Sequence, residues 1–108
     1  MKRILPLATV AAIAAAGLTT LPAQGATKSI KVVDNKFRPA STSVARGTKV
    51  TFKWAGKAPH NVTVVKGPAK FRSKTQTKGT YSKKVTKKGT YAIVCTIHSG
   101  MTLKLKVR

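Results

Sequence analysis

Beyond residue 25, four residues have a thiol, imidazole or thioether side chain that can bind a transition metal, and three of them lie close together. Cys95, His98 and Met101 follow one another at intervals of three, and the second histidine, His60, lies upstream. A thiolate, two imidazoles and a thioether are the ligand set of electron-transfer copper sites, where Met is a weak axial ligand. Beyond residue 25 the chain has one Cys, two His and one Met. These residues therefore supply one complete set and predict a site for one copper ion.

Each of these residues also has an ordinary alternative role. A buried Cys is often a small hydrophobic side chain, and a structural zinc site uses several Cys and His without a thioether. A nucleophilic Cys with a His partner needs a third group to orient the His, and the single acid of the chain, Asp34, is distant in sequence. The joint pattern of four ligand types favours copper over these alternatives.

The elements that position these residues are predicted to be strands. Polar and apolar residues alternate in several segments rich in β-branched and aromatic residues, which is the pattern of half-buried strands. Glycine-containing turns separate the segments, and none has a helical period. The predicted strands are 29–33, 49–54, 61–65, 81–85, 90–95 and 101–107, with a shorter strand near 42–45 and an irregular edge at 37–39.

Many short strands at this spacing predict an all-β fold, an antiparallel sandwich. Cys95 ends one predicted strand, and Met101 begins the next. His60 precedes another strand, which we place on the other side of the sandwich. A rigid scaffold of this kind would hold the ligands in one geometry.

The first 25 residues read as a secretory signal peptide. Lys2 and Arg3 precede an apolar, alanine-rich stretch that is short for a membrane span, and small residues follow at 23–25. We expect cleavage after Gly25 or Ala26 and a single mature domain at 26–108. The protein would then be extracytoplasmic, in the periplasm or the cell envelope.

Charge is the second unusual feature of the chain, which has 22 Lys and Arg against one acid. Such a surface favours anionic partners, among which we consider an acidic redox protein and anionic envelope polymers. The basic residues are spread along the chain and do not interleave with aromatic residues, so we predict no dedicated nucleic-acid site.

Five short motifs along the mature chain carry a family resemblance. The chain resembles the cupredoxins, type 1 blue copper proteins of the plastocyanin and amicyanin group, over essentially the whole mature sequence. The two-residue gaps on each side of His98 are similar to those of amicyanin, whereas Ile97, Ser99 and Gly100 depart from it. The motifs are Phe37-Arg38-Pro39, Gly47-Thr48-x-Val50-x-Phe52, Pro59-His60-Asn61-Val62, Gly89-Thr90-Tyr91 and Cys95-x-x-His98-x-x-Met101.

The resemblance implies a Greek-key β-sandwich with copper at one end, ligated by His60, Cys95, His98 and Met101. It also implies that electrons pass through the edge of the His98 ring. From chemistry we add a hydrogen bond between Asn61 and Thr96, which would join the two halves of the site. The alternative is that Asn61 only caps a strand.

We therefore expect a monomeric one-electron carrier that is not an enzyme, because a closed ligand set leaves no open position for substrate. One alternative is a copper-binding or storage protein of the cell envelope without an electron-relay role. Another is a polycationic module that anchors to anionic envelope polymers.

Overall fold

The computed structural model describes residues 26–108, and all regular structure in this range is β-strand. The predicted signal peptide, 1–25, lies outside the described residues. No helix within 26–108 has the length and apolar character needed to cross a membrane. The strands are β1 (Thr27–Val33), β2 (Lys36–Arg38), β3 (Ser41–Val44), β4 (Thr48–Trp54), β5 (Thr63–Lys66), β6 (Thr80–Val85), β7 (Gly89–Val94) and β8 (Thr102–Val107).

The strands form two four-stranded sheets, which confirms the all-β sandwich. The first sheet has the order β2-β1-β4-β6 and the second the order β3-β8-β7-β5. The sheets are mixed: β1 pairs with β4 and β3 pairs with β8 in parallel, while the other strand pairs are antiparallel, as predicted. Both parallel pairs join strands that are distant in the chain, so no hairpin forces them to be antiparallel.

The core lies between the two sheets and follows the alternation in the sequence. In β4, Val50, Phe52 and Trp54 are buried, while the alternate residues Lys49 and Lys53 are exposed. In β7 and β8 the same alternation buries Tyr91, Ile93, Leu103, Leu105 and Val107. Residues on one face of a strand share an environment because side chains alternate from one face to the other.

The observed strands lie close to the predicted ones, with two differences that concern the site. His60 and Asn61 precede β5, which begins at Thr63, and His60 instead forms an isolated antiparallel bridge with Gln76. Strand β5 pairs with β7, so the segment after His60 joins the same sheet as the strand that leads to Cys95. The prediction that this strand lies on the other side of the sandwich was wrong.

Candidate metal centre

The loop between β7 and β8 carries three of the four predicted ligands. Cys95 directly follows β7, and Met101 directly precedes β8. The backbone N–H of Cys95 donates to the carbonyl of Met101 at 3.1 Å, which closes the loop at its base. Inside the loop, the N–H of His98 donates to the carbonyl of Cys95 at 3.4 Å, and that of Met101 to the carbonyl of His98 at 3.3 Å. These bonds hold the loop in a compact turn.

The second histidine comes from the segment between β4 and β5. The backbone N–H and carbonyl of His60 both bond to Gln76, at 3.0 Å each, and the indole N–H of Trp54 donates to the His60 carbonyl at 3.1 Å. His60 is fully buried. Its backbone is therefore held on two sides, and its ring has a defined position.

Three donor atoms of these residues converge on one point. His60 Nδ1 lies 3.1 Å from His98 Nδ1, and Cys95 Sγ lies 3.4 Å from His98 Nδ1 and 3.9 Å from His60 Nδ1. Of the His, Cys, Asp and Glu residues within 26–108, these three form a group whose donor atoms all lie within 4.8 Å of one another.

The size of this triangle can be compared with the size of a metal ion. A point equidistant from the three atoms would lie about 2 Å from each, close to the roughly 2.0–2.3 Å at which imidazole nitrogen and thiolate sulfur bind a small transition-metal ion. The three residues thus fit one copper ion without a rearrangement of the chain.

Met101 is the last residue of the same loop, directly before β8. Its side chain is buried, at 1% exposure, and its backbone contacts both Cys95 and His98. Its thioether as the axial ligand stays a prediction.

The outward side of His60 holds the residue that sequence reasoning missed. His60 Nε2 lies 2.9 Å from Asp34 Oδ1, although the two residues are 26 positions apart. Since His60 Nδ1 faces the other donor atoms, the proton of the neutral ring lies on Nε2, which donates to the carboxylate. A carboxylate or carbonyl partner of this kind fixes the tautomer of a metal-binding His and raises its basicity. The expectation that Asp34 is too distant to orient a histidine was wrong, because folding brings its carboxylate to His60.

Asp34 is itself held by the segment that precedes His60. The backbone N–H of Lys57 lies 3.0 and 3.1 Å from its two carboxylate oxygens, and the N–H of Ala58 lies 3.0 Å from Oδ1. The hydrogen bond with His60, followed by those with Ala58 and Lys57, lowers the pKa of Asp34 to about 2. The carboxylate is therefore charged at any pH near neutrality.

Gly56 leaves the space that this carboxylate occupies. A Cβ built on Gly56 would lie 2.7 Å from the backbone nitrogen of Asp34 and would also meet Oδ1. One sequence signal could have indicated the site: the single acid of a strongly basic chain lies in the turn after a predicted strand, and a glycine lies shortly before a predicted ligand.

Asn61 and Thr96 join the two ligand segments, and the predicted hydrogen bond is present. Asn61 Nδ2 donates to Thr96 Oγ1 at 2.8 Å, and the N–H of Thr96 donates to Asn61 Oδ1 at 3.1 Å. The Asn61 side chain also bonds to Thr75 and Thr63. The backbone N–H of Asn61 donates to Cys95 Sγ at 3.5 Å, which adds a second link between the segment of His60 and that of Cys95.

The site reaches the surface on the side of the β7–β8 loop. His98 is partly exposed, in contrast to His60, and its neighbour Ile97 is 51% exposed. The segment of His60 is thus held in the interior by hydrogen bonds, whereas the loop between β7 and β8 exposes part of the His98 ring to solvent.

Comparison with known proteins agrees with this geometry. The sequence model of the family described as copper binding proteins, plastocyanin/azurin family, matches residues 23–108. A search of curated proteins finds no match.

Solved structures similar to this one include an oxidised single-residue variant of amicyanin, with 28% sequence identity and a TM-score of 0.65 over 82% of this chain and 88% of that chain. A copper-containing nitrite reductase from Thermus scotoductus SA-01 has 25% identity and a TM-score of 0.67 over 76% of this chain, which spans only 22% of the reductase. A purple cupredoxin from Nitrosopumilus maritimus has 20% identity and a TM-score of 0.67 over 75% of this chain and 99% of its own, and shows the fold.

Proposed function

Because the chain belongs to the copper-binding plastocyanin/azurin family, we propose that it carries single electrons between redox partners with one copper ion as its cofactor. His60, Cys95, His98 and Met101 would hold the ion. The convergence of one thiolate and two imidazole nitrogens within 4.8 Å carries this proposal. Copper supplies the Cu(I)/Cu(II) couple.

The protein part of the site is suited to a carrier because its ligands are restrained. Asp34 fixes the ring of His60 from outside, and Asn61 ties the segment of His60 to that of Cys95 through Thr96. Ligands held from two sides change position little when the charge of the site changes. The partly exposed ring of His98 is the group through which a partner would exchange electrons.

A carrier role is favoured over an enzymatic one by the ligand count. The side chains of His60, Cys95, His98 and Met101 would occupy the ligand positions of the ion and leave none for a substrate. The amicyanin neighbour, which this chain matches over most of its length, supports the same reading, whereas the reductase is matched over a small part only.

The site of action would be outside the cytoplasm. Residues 1–25 have the pattern of a secretory signal peptide, whose cleavage would leave a monomeric domain at 26–108. After loss of Lys2 and Arg3 the domain has one acid and 20 basic residues, so an acidic redox protein is the partner that this surface would attract most strongly. Lys57, which lies in the segment before His60, would steer such a partner at low salt.

The proposal is tested by loading the mature domain with Cu(II) and recording its visible spectrum and voltammogram. An intense blue band from thiolate-to-copper charge transfer, lost in Cys95→Ser, and a fast reversible couple would support the carrier. A colourless Cu(II) complex would contradict the proposed ligands. A blue protein without a reversible couple would instead favour copper storage.

A further inference from the structure

The outer surface of the first sheet places cations directly opposite one another. In the strand pairing, Lys31 lies opposite Arg38 on one side and opposite Lys53 on the other, and Lys49 lies opposite Lys84. All five residues are exposed. We call these five residues the basic face. With neighbouring strands about 4.8 Å apart, and Lys49 and Lys53 about 13 Å apart along β4, they form a compact array.

The second sheet is built differently, although it also carries exposed lysines. None of the strand pairs described in this sheet places two cations opposite each other. Lys104 faces Ser41 and Ala92, and Lys106 faces Ser43 and Thr90. A high lysine content therefore does not by itself produce facing cations in this fold.

Facing cations have a cost within the folded protein. Like charges directly opposite on neighbouring strands are destabilising. The only acid of the chain, Asp34, is bonded to His60 and to the backbone of the segment before it, so no side-chain carboxylate neutralises the basic face. A bound polyanion would remove this repulsion.

Hydroxyl groups lie between the two rows of cations. Thr51 is opposite Ser29 on one side and Ser82 on the other, and the hydroxyls of Thr51 and Ser82 are 3.0 Å apart. The array thus offers ammonium groups for anions and, between them, hydroxyls that can bond to the hydroxyls of a sugar chain.

We propose that the basic face binds an anionic polysaccharide, a linear sugar polymer that carries carboxylates. The large hydrophobic side chains exposed within 26–108, Val65 and Ile97, lie outside this face. The face therefore has no aromatic platform for stacking nucleic-acid bases and no apolar anchor for a bilayer.

The position of the basic face in the fold would allow the protein to stay attached to a polymer while its metal site remains accessible. Its residues lie in the strands of the first sheet, whereas Cys95 and His98 lie in the loop between β7 and β8 of the second sheet. A polymer on this face would leave the partly exposed His98 free for a redox partner. Because the basic face does not include the metal ligands, the affinity for the polymer should be the same with and without copper. The test of polymer binding is therefore independent of the proposed electron-carrier function.

Binding of the mature domain to sodium polygalacturonate at about 50 mM salt, where charge interactions are only partly screened, tests the proposal. Each lysine at an anionic surface is worth about fivefold in affinity. The double variant Lys53→Gln/Lys84→Gln, which removes one cation from each row, should bind at least tenfold more weakly. The control Lys104→Gln/Lys106→Gln removes the same charge from the second sheet and should change affinity less than threefold.

Thermal unfolding of both variants without polymer checks that a loss of affinity does not come from unfolding. The Lys53→Gln/Lys84→Gln variant should be at least as stable as the wild type, because it loses repulsion between facing cations. Equal losses of affinity in the two variants would overturn the proposal, because the overall charge would then account for binding. Tighter binding to a DNA duplex, to polyphosphate or to phosphatidylglycerol vesicles, with the same dependence on the basic face, would overturn the assignment of a polysaccharide.

Discussion

Replacement of Asp34 should weaken copper binding without touching a copper ligand. Its carboxylate accepts the Nε2 proton of His60 at 2.9 Å and two backbone N–H groups of the preceding segment. Asp34→Ala removes all of these bonds, so the ring of His60 can exchange tautomers and rotate. Asp34→Asn keeps one carbonyl oxygen as an acceptor but loses the charge and the second oxygen.

The expected loss of copper affinity follows from the effect of similar hydrogen-bond partners of metal-binding histidines in other proteins. Loss of a hydrogen-bond partner of a metal-binding His typically lowers metal affinity about 10- to 100-fold. Asp34→Ala should lie near the upper end and Asp34→Asn near the lower end. The reduction potential should rise in both variants, because the carboxylate makes imidazole a stronger donor and the more highly charged Cu(II) gains more from it than Cu(I).

The assay is competition with a chelator for Cu(II) and, without oxygen, for Cu(I). Nitrogen NMR of the apo protein adds a readout of the His60 tautomer. Thr86→Lys, which adds one positive charge in the exposed turn between β6 and β7, controls for the change in net charge. An Asp34→Ala variant with the copper affinity and potential of Thr86→Lys would refute a positioning role for Asp34.

Four further predictions follow from the same structure. Gly56→Ala should displace Asp34, since its Cβ would lie 2.7 Å from the Asp34 nitrogen, and weaker copper binding with a wild-type Cys95 loop by NMR would show this. Phe52→Ala should lower the free energy of unfolding by about 3–5 kcal/mol in urea titrations, because this ring is fully buried; a loss under about 1 kcal/mol would contradict the core described here. Burial raises the pKa of both tyrosines, Tyr81 and Tyr91, so absorbance at pH 10 should show less tyrosinate in the folded protein than in urea, where about half is ionised. Their contribution to stability, complete below pH 10, should be lost as the pH rises through the folded-state values. Copper removal should lower the melting temperature, since a ligand at about 1,000 times its Kd stabilises the native state by about 4 kcal/mol; equal melting of apo and copper-loaded protein would argue against a tight preformed site.

Local pattern in the sequence was enough to predict most of the fold. The alternation of Val50, Phe52 and Trp54 with lysines and threonine predicts both a strand and its buried face, because side chains of a strand alternate between two sides. The interval between Cys95, His98 and Met101 similarly predicts a ligand loop, since the three residues lie in one short connection. Both inferences need only residues that are neighbours in the chain.

Sheet order and pairing direction are decided by the tertiary structure. The parallel pairs β1–β4 and β3–β8 and the position of β5 beside β7 depend on which buried faces meet, and a strand pattern does not specify its neighbour. For this reason the alternation predicted the strands but not the two parallel pairs, and it led to the wrong side for the strand after His60.

The ligand types of the site and the hydrogen bond between Asn61 and Thr96 could be predicted from the sequence. The contact between Asp34 and His60 could not. Asp34 reaches His60 only because the turn after β1 lies against the segment between β4 and β5, where Gly56 leaves room for a carboxylate. The basic face likewise exists only through the register of β1, β2, β4 and β6, which sets lysines from distant segments opposite one another. The sequence specifies which chemical groups the chain carries. Tertiary packing decides which of the distant groups meet, because hydrogen bonds and charge repulsion both depend on separations of a few ångströms in space.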